Sequence, residues 1–280
     1  MLNCLYNGKR VNALFIAEEC EYKYRKEIKI ASSKKELACE DCGSPMTFKC
    51  GQVITPHFAH WRGYGEKCPY NMESEALRRC KKILYNYFRE NYPKAEIELE
   101  YKAIPNRRSD LFICFNDGSK LVIDIQKDLM SARQWDDKHS DYKKAAMNNL
   151  WIVNGVPKSE KERSMPFFEQ IMVNESTDGI AVFLNHETEE VTLIKKLVYN
   201  DEKNNKEYSE LFERTYPLND ILILPTGSLK TSFHDEVYSQ EQIFCKRWAE
   251  KLKEKERQHS AISEYNKLKS YISKRIDINK

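Results

Sequence analysis

The chain of 280 residues sets 46 Lys and Arg against 43 Asp and Glu, a net charge of +3, with 41% apolar residues and a mean hydropathy of −0.72. Its length suits about two domains, and its apolar content supplies real cores, which excludes wholesale disorder. No run approaches the roughly 18 uninterrupted apolar residues of a membrane span, and the opening segment lacks a charged region followed by a long apolar one, so a cytoplasmic protein without membrane contact is expected. The nine cysteines, spread over such a length, read as reduced thiols or metal ligands rather than a disulfide framework. With charges this balanced, any polyanion must be bound by a local patch.

In chain order, residues 1–37 alternate short apolar runs with charged stretches, as a small mixed element would. Residues 39–68 are rich in Cys, His, Gly and Pro and poor in large aliphatics, so they need a staple beyond burial. Together these form an N-terminal module, residues 1–69. Residues 71–91 repeat apolar side chains at Ala76, Leu77, Cys80, Ile83, Leu84, Tyr87 and Phe88, the spacing of a helix with one buried stripe, which Pro93 ends. Three strand-like runs follow at 95–104, 109–115 and 119–126, the last two joined by Asn116-Asp117-Gly118 as a hairpin. Helical spacing returns over 130–148, and Leu150–Val153 is a short apolar strand. The order αβββαβ therefore defines a second domain, residues 70–156. Beyond it an accessory α/β region, 157–235, is expected to hold a helix around 160–172, strands at 179–184 and 190–198, a polar stretch at 200–209 and a strand near 221–224. A basic helical segment, 236–280, closes the chain; over 246–280 it carries eleven Lys and Arg against five Asp and Glu.

Cys39-Glu40-Asp41-Cys42-Gly43 is a C-x2-C knuckle, and His57-Phe58-Ala59-His60 and Cys68 follow it. Zinc takes four thiolate or imidazole ligands, so the chain offers five donors, Cys39, Cys42, His57, His60 and Cys68, for four places, with Cys50 a weaker sixth. Two imidazoles three residues apart can share an ion from a helical turn. With all places filled by protein, such a Zn2+ would be structural.

The hairpin carries a second constellation. If Asn116-Asp117-Gly118 is a three-residue loop with Gly118 left-handed, Phe115 pairs with Ser119 and Asp110 falls opposite Asp124, with Gln126 on the same face. A two-residue loop would instead push one aspartate into an aliphatic layer, at a cost. Two facing carboxylates on a buried sheet call for a cation, and an oxygen-only site suits Mg2+ or Mn2+, which can activate water against a phosphodiester. On a helical wheel Glu73 falls on the buried stripe and Glu75 off it, so Glu73 is the third carboxylate. Arg107 and Arg108 are placed to contact phosphate.

These pieces in order, C-E-D-C-G, H-F-A-H, Cys68, M-E-S-E, R-R-S-D-L, V-I-D-I-Q and W-I-V, resemble the CoiA-like competence protein family over about residues 39–153. The resemblance implies a PD-(D/E)XK restriction-endonuclease-like core behind a Cys/His module. It further implies that Asp110, Asp124 and Gln126 are the motif positions and Glu73 the helix carboxylate. Two positions depart from its pattern: Leu77 stands where a His is usual, and Gln126 ends the motif without positive charge, leaving Lys143 or Lys144 as the cation. The expectation is a Mg2+-dependent deoxyribonuclease in DNA uptake, recombination or defence against foreign DNA. Its rival is a catalytically inactive DNA-binding or scaffold protein. The last helix would serve as a polyanion arm, or as a contact to a second copy or a protein partner through Phe244, Trp248 and Leu252, then Ile262, Tyr265, Leu268 and Ile272.

Overall fold

The computed structural model describes residues 1–69, 73–105, 107–126, 132–155 and 175–278. The helix expected around 160–172 lies outside them, as does the side chain of Ile272. Two compact units divide the chain, Met1–Ile194 with Glu213–Thr231, and Lys195–Phe212 with Ser232–Lys280.

The first unit opens with β1 (Asn3–Tyr6) and β2 (Lys9–Asn12), antiparallel about Asn7-Gly8, whose φ angles of 49° and 71° are those of a tight hairpin turn. Asn12 then caps α1 (Ala13–Glu18), its side-chain oxygen accepting from the amides of Leu14 and Phe15 at 2.9 and 3.1 Å. Helix α2 (Tyr22–Ser33) buries Ile28 and Ala31, and β3 (Leu37–Ala38) pairs with β1. The Cys/His-rich stretch forms a hairpin of β4 (Met46–Lys49) and β5 (His57–His60). Its Met46, Phe48, Phe58, Cys39 and Cys68 are buried in one core with Cys4, Ile16, Ile28 and Leu37. Burial that residues 39–68 could not supply alone is thus shared with residues 1–37.

A seven-stranded mixed sheet follows, in the order β12-β11-β10-β9-β8-β7-β6. Helix α3 (Glu75–Asn91) precedes β6 (Glu96–Leu99), β7 (Leu111–Cys114) and β8 (Lys120–Gln126); α4 (Ala132–Lys144) then leads to β9 (Asn148–Asn154). The αβββαβ order read from periodicity is present, with β6, β7 and β8 antiparallel and β9 parallel to β8. The first strand is shorter than expected, because Glu100 turns out of it with φ of 53°. Helix α3 buries Cys80, Lys81, Leu84, Tyr87 and Phe88.

Three strands beyond residue 157 extend this sheet. Strand β10 (Ile180–Asn185) runs parallel to β9, and β11 (Glu190–Asp201) and β12 (Lys206–Pro217) continue the same sheet. Of these two, Glu190–Ile194 and Glu213–Pro217 belong to the first unit. The stretch 200–209 is largely strand; its polar, exposed sequence hid that. Near 221–224 lies the two-residue β13 (Leu222–Ile223), paired with β14 (Leu229–Lys230). The Tyr87 hydroxyl fixes this segment, donating to Ile221 O and accepting from Ile223 N, both at 2.8 Å.

In the second unit, the distal halves of β11 and β12 meet α5 (Phe233–Ile278), a single helix of 46 residues, roughly 69 Å long. Tyr208 stacks on Trp248 at 4.0 Å between ring centroids, and Phe212 on Phe233 at 5.5 Å. No helix among the described residues is long and apolar enough to cross a membrane.

Candidate metal knuckle and carboxylate centre

The knuckle turns at Cys39–Gly43: the Gly43 amide donates to Cys39 O at 2.9 Å, and Gly43 takes the positive φ of 68° that closes the turn. Strand β5 delivers His60 and a turn at Gly65 delivers Cys68, whose amide donates to Gly65 O. A Cβ on Gly65 would lie 2.2 Å from the His60 ring, so this close approach requires glycine. The donor atoms of Cys39, Cys42, His60 and Cys68 all lie within 4.8 Å of one another. Cys39 and Cys68 sulfurs are 3.9 Å apart, and Cys42 Sγ is 3.3 Å from His60 Nε2. Zinc–sulfur bonds of ~2.3 Å in a tetrahedron place sulfurs roughly 3.8 Å apart, so this Cys3His set fits a metal such as zinc. Burial pushes the Cys39 thiol up to about 12. Burial also acts against the Cys42 thiolate, but hydrogen bonds from Ser44, His60 and Cys39 outweigh it and bring that thiol down to about 6.

His57 is not part of this set. The His-Phe-Ala-His run is a strand, not a helical turn, so residues three apart point to opposite faces. His57 is buried with Nδ1 2.8 Å from Thr55 O, and burial lowers its pKa. Cys50 also lies outside the cluster.

The hairpin has the three-residue loop: Phe115 N donates to Ser119 O, Gly118 has φ of 83°, and Leu111 faces Ile123. One step further, Asp110 N donates to Ile123 O at 3.1 Å and Asp110 Oδ2 accepts from Ile125 N at 2.7 Å. Asp110, one residue ahead of β7, therefore falls opposite Asp124 of β8. Asp124 is buried opposite Trp151, with Lys138 Nζ 2.7 Å from Oδ1 and the Tyr142 hydroxyl also acting on the carboxylate by hydrogen bonding. Burial raises the Asp124 pKa, Lys138 opposes this, and the Asp110 charge adds to the rise. Gln126 ends β8, half-buried, two residues beyond Asp124 and so on its face.

Glu73 reaches the centre by a different route from the one expected. The helix starts at Glu75 behind the cap Ser74, so Glu73 lies ahead of it. Its carboxylate pairs with Lys81, whose ammonium also meets Glu100 Oε1 at 3.0 Å and Asp110 Oδ1 at 2.9 Å. Glu75 faces away, accepting from Thr55 N and pairing with Arg78. Sequence reasoning missed Lys81, Glu100 and Lys138. Lys81 was findable, because it occupies the buried stripe of α3 between Cys80 and Leu84.

The basic residues separate. Arg108, expected on phosphate, is 6% exposed and clamps Asp41 at 2.7 Å and Glu100. Arg107 pairs with Asp141 at 2.7 Å while staying partly open. Lys143 and Lys144 stand exposed in the last turn of α4.

Fold and site together define a mixed α/β protein that joins a Cys/His knuckle to a sheet bearing paired aspartates. Residues 20–71 match the model for the N-terminal domain of competence protein CoiA, and residues 73–223 the model for its nuclease-like domain. The chain belongs to the CoiA competence protein family. No curated protein matches it significantly. Among solved structures, the SPO1766 protein of unknown function from Silicibacter pomeroyi is similar over 41% of this chain and 68% of its own, at 14% identity and a TM-score of 0.27. A likeness that slight has no bearing on the fold.

Proposed function

We propose that this protein is a divalent-metal-dependent nuclease that hydrolyses DNA phosphodiester bonds in DNA uptake, recombination or defence, on a core of the PD-(D/E)XK kind. One observation carries the reading: the hairpin register sets Asp110 opposite Asp124, a carboxylate buried in the sheet. An all-oxygen pair of this kind fits Mg2+ or Mn2+, which when bound lowers the pKa of water and neutralises phosphate charge. Asp110 and Asp124, with Glu73 beside them, would hold the ion, and Gln126 would orient the water through its amide. Lys138, already against Asp124, supplies the positive charge that Gln126 lacks. Arg107, Lys143 and Lys144 would steer the DNA backbone. The Cys3His knuckle would hold a structural zinc.

A second reading rests on Lys81, whose ammonium already engages Glu73, Glu100 and Asp110. It makes the protein a DNA-binding scaffold with a charge-filled, inactive centre. The test is cleavage of single-stranded, duplex and branched DNA with Mg2+, Mn2+ or EDTA, comparing the wild type with Asp124→Asn at matched zinc content. The nuclease reading expects metal-dependent cutting, reduced by roughly 100-fold or more in the variant, as for loss of a group that stabilises the transition state. If neither protein cuts and both bind DNA equally, the scaffold reading replaces it.

A further inference from the structure

Asp41 stands between two cysteines of the knuckle, and its amide hydrogen bonds to Cys39 Sγ at 3.5 Å. Its carboxylate points out of the knuckle, meeting Arg108 Nη1 at 2.7 Å and Lys102 Nζ at 2.8 Å. From there the contacts continue without a break. Arg108 Nη2 pairs with Glu100, Glu100 Oε1 meets Lys81 Nζ at 3.0 Å, and Lys81 Nζ meets Asp110 Oδ1 at 2.9 Å. All five side chains lie in the first unit.

The middle of this chain is sealed from water. The side chains of Arg108, Glu100 and Lys81 are 6%, 1% and 5% exposed. Charges placed so deep act strongly on one another, and solvent cannot replace a partner that leaves. Glu100 is fixed from a second side, since Oε2 accepts from the amides of Leu2 and Asn3 at 2.9 and 3.3 Å. It keeps a positive φ that side-chain-bearing residues rarely adopt, the mark of a position over-determined by its surroundings.

We propose that Asp41 and Arg108 are positioning residues, through which the gathered knuckle sets where Glu100 and Lys81 hold Asp110. The consequence for catalysis rests on the nuclease reading. The coupling of the knuckle to Lys81 does not.

The experiment combines three readouts on the full chain: zinc content, Mn2+ affinity from water proton relaxation, and the acetylation rate of Lys81 followed by mass spectrometry. In Asp41→Asn and Arg108→Met, with zinc retained, Lys81 acetylation should rise about tenfold and Mn2+ affinity fall roughly 10–100-fold, the usual cost of losing a group that orients a ligand. Lys102→Met, which removes the more exposed partner of Asp41, should leave both near wild type. Arg108→Lys keeps one of the two ion pairs and should fall between. Should Asp41→Asn shed its zinc, the Arg108 variants decide, since they leave the knuckle's own residues intact. A wild type that takes no Mn2+ and cuts no DNA removes the nuclease reading, while Lys81 protection still judges the coupling. Zinc-loaded variants in which Lys81 stays as protected as in the wild type and Mn2+ binds equally would overturn the proposal.

Discussion

Glu100 shows why part of the site escapes a reading of the sequence. It follows a run of alternating acids and apolar residues, where one more glutamate looks like a solvated strand face; only tertiary packing brings Lys81, Arg108 and two amides onto it. Asp110 and Asp124 were legible because local turn chemistry fixes the register that pairs them. Burial acts against the Glu100 charge, but Lys81 and Arg108 outweigh it and hold the carboxyl well below its ordinary value of 4.5. A depressed acid stabilises the fold above its unfolded value, and that contribution is lost as pH falls through the folded one. Lys81 runs oppositely: burial lowers its pKa, but Asp110, Glu100 and Glu73 raise it well above 10.5, so its contribution stays until pH climbs through that raised value. Glu100→Gln should therefore cost about 3 kcal/mol at pH 7, the range for breaking a buried pair, and the difference should shrink below pH 4.5. Urea unfolding of both proteins across this range checks it; a pH-independent gap would contradict the charge account.

At the scale of elements, the C-x2-C knuckle is visible in the sequence because its spacing and glycine are local. The second half of the metal set is not, because His57 and His60 suit a helical turn by spacing and only the strand β5 sends them apart. His60→Ala should accordingly lower bound zinc well below one equivalent per chain, whereas His57→Ala should retain it; atomic absorption on the purified proteins separates the two. Equal loss from both would return His57 to the ligand set. Strand β12 was missed for a related reason. Its sequence KEYSELFERTYP carries little apolar alternation, since most of the strand is exposed and its pairing, not its burial, makes it a strand.

For the whole molecule, positive charge gathers at the end of the chain, over residues 246–280, where Ile262, Tyr265 and Leu268 of α5 are exposed. Lys255 interrupts the apolar stripe, which favours a polyanion arm over a coiled-coil seam. Removing residues 239–280 should leave the number of chains per particle in light scattering unchanged and weaken DNA binding, with a shallower dependence on salt. A fall from dimer to monomer mass would mark the helix as an assembly element instead. The two family models abut between residues 71 and 73, as if the protein were two interchangeable parts. The ion pairs that cross this boundary say otherwise. An N-terminal half exchanged for one lacking an acid at position 41 would take one of its carboxylate partners from the buried Arg108 guanidinium, and one that redirected the chain at Leu2 and Asn3 would strip Glu100 of two donors. Exchanging either half alone should therefore cost stability that is recovered when the charge partner on the other side is exchanged with it.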